Sequence, residues 1–177
     1  MYLSRVHYKD IDAVKILSKS LKEIIDKEKL NKRKTIFVCI GTVRYKFDAL
    51  GPLVGEMVKH CNKKIKVYGL INDDIHAQNL DKKLKKIRLR HKNSNIIAID
   101  ASNGRETSIG DIFIKKESLK PGKGVGKNLQ EVGDYCICAN TCSNKNFEDN
   151  GIINDVDLDF IKDIAEVISL SILLAYK

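Results

Sequence analysis

The sequence predicts an α/β fold with a mostly parallel five-stranded sheet and helices on both faces. Short apolar segments, typical of buried strands, alternate along the chain with longer segments whose apolar residues recur every three or four positions. Such alternation favours parallel strands joined by helices that cross over the sheet. The strand predicted at residues 111–115 has no helix before it, which favours an antiparallel edge there.

Five strands and four helices follow from the pattern along the chain. The predicted strands span residues 35–40, 65–71, 95–100, 111–115 and 134–140. The predicted helices span residues 10–29 and 48–61, a segment that begins near residue 75, and residues 155–176. The first of these helices carries an apolar stripe opposite a row of lysines, so it is expected to pack on one face of the sheet.

Polar residues indicate where the helices begin. Asp48 occupies the N-cap position of the second predicted helix, and Pro52 falls in its first turn, where no backbone N–H is needed. Asp73 or Asp74 is expected to cap the third helix. The last helix begins with acidic residues, which the helix dipole favours.

Length and composition indicate one domain, residues 1–177. With 177 residues, 43% of them hydrophobic, the chain is long enough for one substantial core but not for two. Charged residues interrupt the N-terminal stretch and the 5 cysteines are an odd number, which argues against a secreted, disulfide-linked protein and favours the cytoplasm. No apolar run reaches the ~20 residues that a membrane helix needs, so no membrane association is expected.

The chain is basic, with a formal net charge of +9. This excess favours an acidic partner or nucleic acid through long-range attraction. The predicted third helix concentrates basic residues between positions 82 and 92, but no aromatic residues alternate with them. We therefore interpret this surface as a solvated helix face, with nucleic-acid binding as the weaker alternative.

Asp48 and Asp100 are the strongest candidates for chemistry. Each lies at or just beyond the carboxyl end of a predicted core strand, and these ends share one edge of a parallel sheet. Two adjacent carboxyl groups do not both ionise readily, so one keeps a proton while the other acts as a base, which activates water against an amide. The alternative chemistry is a divalent cation. The structural alternative is that Asp48 caps its helix and Asp100 caps a turn at residues 101–104.

The glycine-rich stretch 120–127 reads KPGKGVGK and lacks the GxxxxGK[ST] spacing of a phosphate-binding P-loop. Glycines permit the close approach of another backbone, and the lysines supply positive charge. We expect Lys120, Gly122, Gly124 and Lys127 to contact a substrate strand, the alternative being a flexible surface loop.

The cysteines and histidines show no recognisable metal-binding pattern. Cys136 and Cys138 are two positions apart in a predicted strand, Cys142 follows at a spacing unlike that of zinc fingers, and no fourth ligand matches. We interpret these cysteines as buried thiols. No two histidines are spaced as a ligand pair, so no cofactor is expected, and a divalent metal is not favoured.

Three motifs resemble those of the bacterial spore germination protease family: IGTVRYKFDALGPLVG at residues 40–55, IIAIDA at 96–101 and LKPGKGVGK at 119–127. In layout and length the chain most resembles the small YyaC-like sporulation proteins related to that protease. The resemblance implies a three-layer α/β/α sandwich with a twisted sheet, a fold shared with the hydrogenase-maturation endopeptidases. By motif, Asp48 and Asp100 fall on the two aspartates held responsible for peptide hydrolysis in the germination protease.

The resemblance implies a sporulation-associated peptidase in the cytoplasm of the sporulating cell or forespore, with a peptide or spore protein as its substrate. Val43 stands where small relatives usually carry an acidic residue, and Lys120 stands where the protease has a histidine. The histidine that helps hydrogenase-maturation enzymes to bind nickel has no counterpart, which lowers the expectation of a metal. The alternative from another class is a non-catalytic sporulation factor that binds a peptide or protein partner on the same fold.

Overall fold

The part of the chain that the computed structural model describes, residues 1–122, 129–143 and 156–177, forms six strands and four helices. The strands are β1 (Tyr2–His7), β2 (Lys34–Cys39), β3 (Lys66–Tyr68), β4 (Ser94–Gly104), β5 (Asp111–Lys115) and β6 (Tyr135–Ser143). The helices are α1 (Ala13–Leu30), α2 (Leu50–Cys61), α3 (Leu80–Arg90) and α4 (Leu158–Ala175), and short 3₁₀ turns lie at Lys46–Asp48 and Glu106–Ser108.

The strands form one sheet in the order β1-β5-β6-β4-β2-β3. Strands β3, β2, β4 and β6 run parallel, whereas β5 pairs antiparallel with both β6 and β1. The predicted α/β class, the mostly parallel sheet and the antiparallel strand at Asp111–Lys115 are therefore confirmed.

The expected number of five strands is wrong, because Tyr2–His7 adds a sixth strand at the edge of the sheet. Only Val6 of this segment is buried, so it lacks the apolar run that marks a core strand. Its position comes from pairing with β5, and Nε of Arg5 donates a hydrogen bond to Oδ2 of Asp111 at 3.0 Å. Such long-range pairing leaves no periodic signal in the local sequence.

The helices cover the two faces of the sheet unequally. The main core lies under α1, α2 and α4 and includes Phe37 and Cys39 of β2. On the other face, α3 packs against Ile36 and Val38, because successive residues of a strand point to opposite faces. Helices therefore lie on both faces, as expected for an α/β/α sandwich, and α1 packs on the sheet as predicted. The part of the second face formed by β4, β6 and β5 borders a cavity.

Two predicted helix caps are wrong. The N-cap of α2 is Ala49, with no side-chain capping bond, and Asp48 belongs to the preceding 3₁₀ turn. The N-cap of α3 is Asn79 and not Asp73 or Asp74, because the loop after β3 continues further than the helical pattern indicates. Asp48, Asp73 and Asp74 therefore cap neither helix.

Helix α4 begins at Leu158, later than the predicted residue 155, and carries acidic residues at its N-terminus as expected. Asp157 is the N-cap, and its Oδ1 accepts a hydrogen bond from the backbone N–H of Asp159 at 3.0 Å. Neither this helix nor any other in the described ranges has the length and apolar character needed to cross a membrane.

Candidate functional site

Asp48 lies where the loop after β2 folds back on the chain. The backbone N–H of Thr42 donates to the carbonyl oxygen of Asp48 at 3.0 Å and to its Oδ2 at 3.1 Å. Gly41 permits this approach, since its φ of +131° favours glycine. A β-carbon at Gly41 would also collide with the carbonyl oxygen of Asp48 and lie 3.2 Å from Oδ1. The Asp48 carboxyl is therefore bound to this loop and does not cap α2.

Asp100 lies in β4, one residue beyond the last position at which β4 pairs with β2. That last pair joins Cys39 to Ile99. Asp100 therefore lies next to the point where β2 ends and the loop that leads to Asp48 begins. On its other side Asp100 pairs with Cys138 of β6. Because β4 continues to Gly104, the turn expected at residues 101–104 does not exist, and the capping role considered for Asp100 is wrong.

Both carboxyl groups have raised pKa values. Burial raises the pKa of Asp48 to about 7; the hydrogen bond from Thr42 opposes this shift, and the negative charge of Asp74 adds to it. Burial also raises the pKa of Asp100 well above its usual range, and the charge of Asp48 is the second cause. Asp48 and Asp100 thus lie close enough for one charge to act on the other. At neutral pH, Asp48 is near the midpoint of its titration.

A third carboxylate, which sequence reasoning missed as a site residue, is Asp74. It lies in the loop after β3, and the next residue, Ile75, accepts a hydrogen bond from the backbone N–H of Gly41 at 2.8 Å. His76 Nε2 lies 3.8 Å from Asp74 Oδ1. A signal exists in the sequence, because Asp74 follows the carboxyl end of a parallel strand just as Asp48 does.

A cavity of about 1220 Å³ opens beside Asp100, with walls from β1, β4, β5, β6 and residues 117–122. Of the residues predicted to bind substrate, Lys120 and Gly122 line this cavity. The other two, Gly124 and Lys127, lie outside the described residues. The structure therefore brings Lys120 and Gly122 to the same cavity as Asp100, whereas Asp48 is not among the described residues that line it.

The lining of the cavity is largely polar. Oγ of Ser102 donates to Oδ1 of Asn140 at 2.8 Å, and Nδ2 of Asn140 donates to the carbonyl oxygen of Ser108 at 3.1 Å. At the cavity rim, Lys120 Nζ lies 3.1 Å from Glu131 Oε1. Hydrogen-bonding groups and charges of both signs suit a peptide better than a wholly apolar ligand.

Cys136, Cys138 and Cys142 are buried and unbridged, as predicted, and of the other two free cysteines Cys39 is buried and Cys61 is exposed. In residues 1–122, 129–143 and 156–177, no group of three or more His, Cys, Asp or Glu side chains forms a metal-binding arrangement. His91 instead shares a hydrogen bond of 2.7 Å with the hydroxyl group of Tyr68.

The chain is similar in sequence to a defined protein family and to a bacterial protein. The family model described as "Protein of unknown function (DUF1256)" matches residues 5–171. The "Uncharacterized protein YyaC" of Bacillus subtilis (strain 168) is 41% identical over 140 residues. This match covers 78% of the chain and 60% of YyaC, so the chain spans less than two thirds of that relative's length. The resemblance to YyaC-like proteins is confirmed, whereas the links to the germination protease and the hydrogenase-maturation enzymes stay predictions.

Proposed function

The chain belongs to the DUF1256 family, and we propose that it is a peptidase of the spore germination protease type. In this proposal Asp48 and Asp100 share a proton and activate a water molecule for hydrolysis of a peptide bond. The supporting observation is the raised pKa of both carboxyl groups, together with the action of the Asp48 charge on Asp100. Carboxyl groups with such perturbed pKa values concentrate at functional sites.

The two pKa shifts assign the roles in the proposed reaction. Asp48, with a pKa of about 7, is ionised in a large fraction of molecules at neutral pH and accepts a proton from the attacking water. The water oxygen bonds to the carbonyl carbon of the peptide. Asp100, whose pKa lies well above its usual range, is the proton donor in this proposal and gives its proton to the amide nitrogen as the C–N bond breaks. Net return of one proton from Asp48 to Asp100 restores the starting state.

Substrate binding is assigned to the cavity beside Asp100. Lys120 and Gly122 line it, which supports a groove for an extended peptide. Gly122 has no side chain to keep a substrate backbone away, and Lys120 supplies positive charge. We include Gly124 and Lys127 in this groove because they belong to the same glycine-rich stretch.

The proposed substrate is a peptide or a spore protein, in the cytoplasm of a sporulating cell or forespore. The support is the motif resemblance at residues 40–55, 96–101 and 119–127, together with the similarity to YyaC. In this proposal the reaction uses the carboxyl pair alone, with neither a metal ion nor a nucleic acid as partner.

The proposal is tested by incubating the purified protein with small acid-soluble spore proteins and following cleavage by mass spectrometry. The wild type is expected to cleave them, and so is the control Asp26→Asn, whose side chain is exposed on α1. Asp48→Asn and Asp100→Asn are each expected to be slower by at least about 100-fold, the usual contribution of a general acid or base. Undiminished cleavage by both variants would show that Asp48 and Asp100 are not the catalytic pair.

A second candidate function is that of a non-catalytic factor that binds a peptide or protein partner on the same fold. The observation that favours it is the cavity lining, which among the described residues includes Asp100 but not Asp48. This function predicts no turnover of any spore peptide by the wild type and unchanged peptide binding by Asp48→Asn. Turnover by the wild type would exclude it.

A further inference from the structure

Helix α3 presents a concentrated positive charge to solvent. Leucine and isoleucine side chains bury one side of this helix against the sheet. The exposed side carries five basic residues, which we call the α3 basic face: Lys82, Lys85, Lys86, Arg88 and Arg90. The only carboxylate within the helix is Asp81, in its first turn. The face therefore attracts anionic groups.

The described part of the chain does not neutralise this charge. A sixth basic residue of the helix, Lys83, pairs with Asp73 and is not counted in the face. Among the ion pairs within residues 1–122, 129–143 and 156–177, none includes a member of the α3 basic face. Nη2 of Arg88 donates a hydrogen bond to the carbonyl oxygen of Glu131 at 3.4 Å, which leaves its charge unpaired.

Helix stability does not account for the lysines of this face. Arg88 and Arg90 lie in the last turn, where the helix dipole favours positive charge. Lys82 lies near the other end, where the dipole favours negative charge. Further lysines follow Lys82 at three and four positions, which are neighbouring places on a helix surface, and like charges there repel each other. The arrangement therefore fits a binding surface better than a stabilising one.

The α3 basic face continues to the rim of the cavity beside Asp100. Glu131, which accepts the hydrogen bond from Arg88, lines that cavity, and its Oε1 lies 3.1 Å from Nζ of Lys120. The next residue, Val132, packs in the same core as the buried side of α3. A polypeptide that leaves the cavity past Glu131 therefore reaches Arg88 first and then the rest of the face.

The surroundings of Leu89 favour a polypeptide over a nucleic acid. Leu89 is 61% exposed, and Lys85 and Lys86 precede it by four and three positions, so the three residues are neighbours on the helix surface. An exposed leucine can contact the side chains of a polypeptide, whereas a phosphate backbone is bound by charged and hydrogen-bonding groups. Helix α3 also has no aromatic residue on which a base could stack.

We propose that the α3 basic face binds an acidic segment of the peptide or protein whose adjoining segment occupies the cavity. The inference rests on the proposed function for the identity of the chain in the cavity, and it adds a second contact away from the carboxyl pair. The paired charges are exposed to solvent, so the interaction weakens as the salt concentration rises. The face thus selects substrates by their charge outside the bond that is cleaved.

The test measures binding of a fluorescein-labelled decaglutamate peptide by fluorescence anisotropy, in the Asp48→Asn background, which prevents the proposed cleavage. The α3 variant removes three charges from the face: Lys82→Gln, Lys85→Gln and Lys86→Gln. The matched control removes three exposed lysines from α1 and so has the same net charge: Lys19→Gln, Lys22→Gln and Lys29→Gln. The α3 variant is expected to bind about tenfold more weakly than the control, the combined effect of three surface ion pairs.

Equal affinities of the α3 variant and the α1 control would show that net charge alone attracts the peptide, and would overturn the proposal. A decaglutamine peptide tests the intact face without any substitution and is expected to bind at least about tenfold more weakly than decaglutamate. Equal binding of the two peptides overturns the proposal. So does a single-stranded DNA of equal charge that binds more tightly than decaglutamate and loses this affinity in the α3 variant, because the ligand is then a nucleic acid. Binding is read without turnover, so an inactive peptidase leaves these outcomes unchanged and is detected separately by the cleavage assay.

Discussion

The backbone N–H of Thr42 donates to Oδ2 of Asp48 at 3.1 Å and binds the carboxyl group to the loop after β2. This hydrogen bond favours the ionised carboxylate, but burial has the larger effect and raises the pKa of Asp48 to about 7. A carboxyl group with such a pKa exchanges its proton at neutral pH, whereas an ordinary capping aspartate stays ionised. This property of Asp48 leads to predictions that do not depend on any substrate.

The raised pKa of Asp48 predicts how stability changes with pH. The folded state binds this proton more tightly than the unfolded chain does, so the stabilisation is complete below the unfolded pKa of ~3.9 and is lost as the pH rises through the folded value. Asp48→Asn removes the ionisation. Its free energy of unfolding is expected to gain roughly 4 kcal/mol relative to wild type between about pH 4 and about pH 8, measured by urea denaturation, because one pKa unit corresponds to about 1.4 kcal/mol. Asp26→Asn is the control, and a constant difference between Asp48→Asn and wild type across this range would contradict the shift.

Gly41→Ala is expected to destabilise the fold. Alanine at a φ of +131° is strained, and its β-carbon meets the carbonyl oxygen of Asp48. The free energy of unfolding is expected to fall by at least about 2 kcal/mol. Val43→Ala in the same loop is the control, because Val43 is 43% exposed and its truncation changes stability little. Equal stability of the two variants would show that the loop moves away from Asp48 without cost.

Asp74→Asn is expected to lower the pKa of Asp48, because it removes a like charge that raises that pKa. The pKa is measured by ¹³C NMR titration of the aspartate carboxyl carbons. Asp73→Asn is the matched control, since Asp73 is 74% exposed and pairs with Lys83. The pKa of Asp48 is expected to be unchanged in that control. If both variants leave it at the wild-type value, Asp74 does not belong to the site.

The parallel part of the sheet is predictable from sequence because its strands are buried. Strands β2, β4 and β6 lie in the core and therefore carry continuous apolar runs. Strand β1 buries only Val6, and its place depends on β5, with Arg5 and Asp111 separated by 106 positions in the chain. A contact of that kind follows from the assembled sheet and not from any local pattern.

The candidate residues can be proposed from the sequence, but their surroundings cannot. The carboxyl ends of parallel strands converge, which is sufficient to single out Asp48 and Asp100. Their local roles depend on details that periodicity does not encode: a 3₁₀ turn keeps Asp48 from the N-cap, and β4 continues past Asp100. Residues of four strands line the cavity, and the charge of Asp74, which lies in a different loop, raises the pKa of Asp48. Both features therefore exist only in the folded chain.

The most direct test of the carboxyl pair is an NMR titration of Asp100 in the wild type and in Asp48→Asn. The proposed pair predicts that the pKa of Asp100 lies well above its usual range in the wild type, because of burial and the charge of Asp48. In Asp48→Asn this pKa is expected to fall, while burial keeps it above the usual value. An Asp100 pKa that is identical in the two proteins, or ordinary in the wild type, would contradict a shared proton.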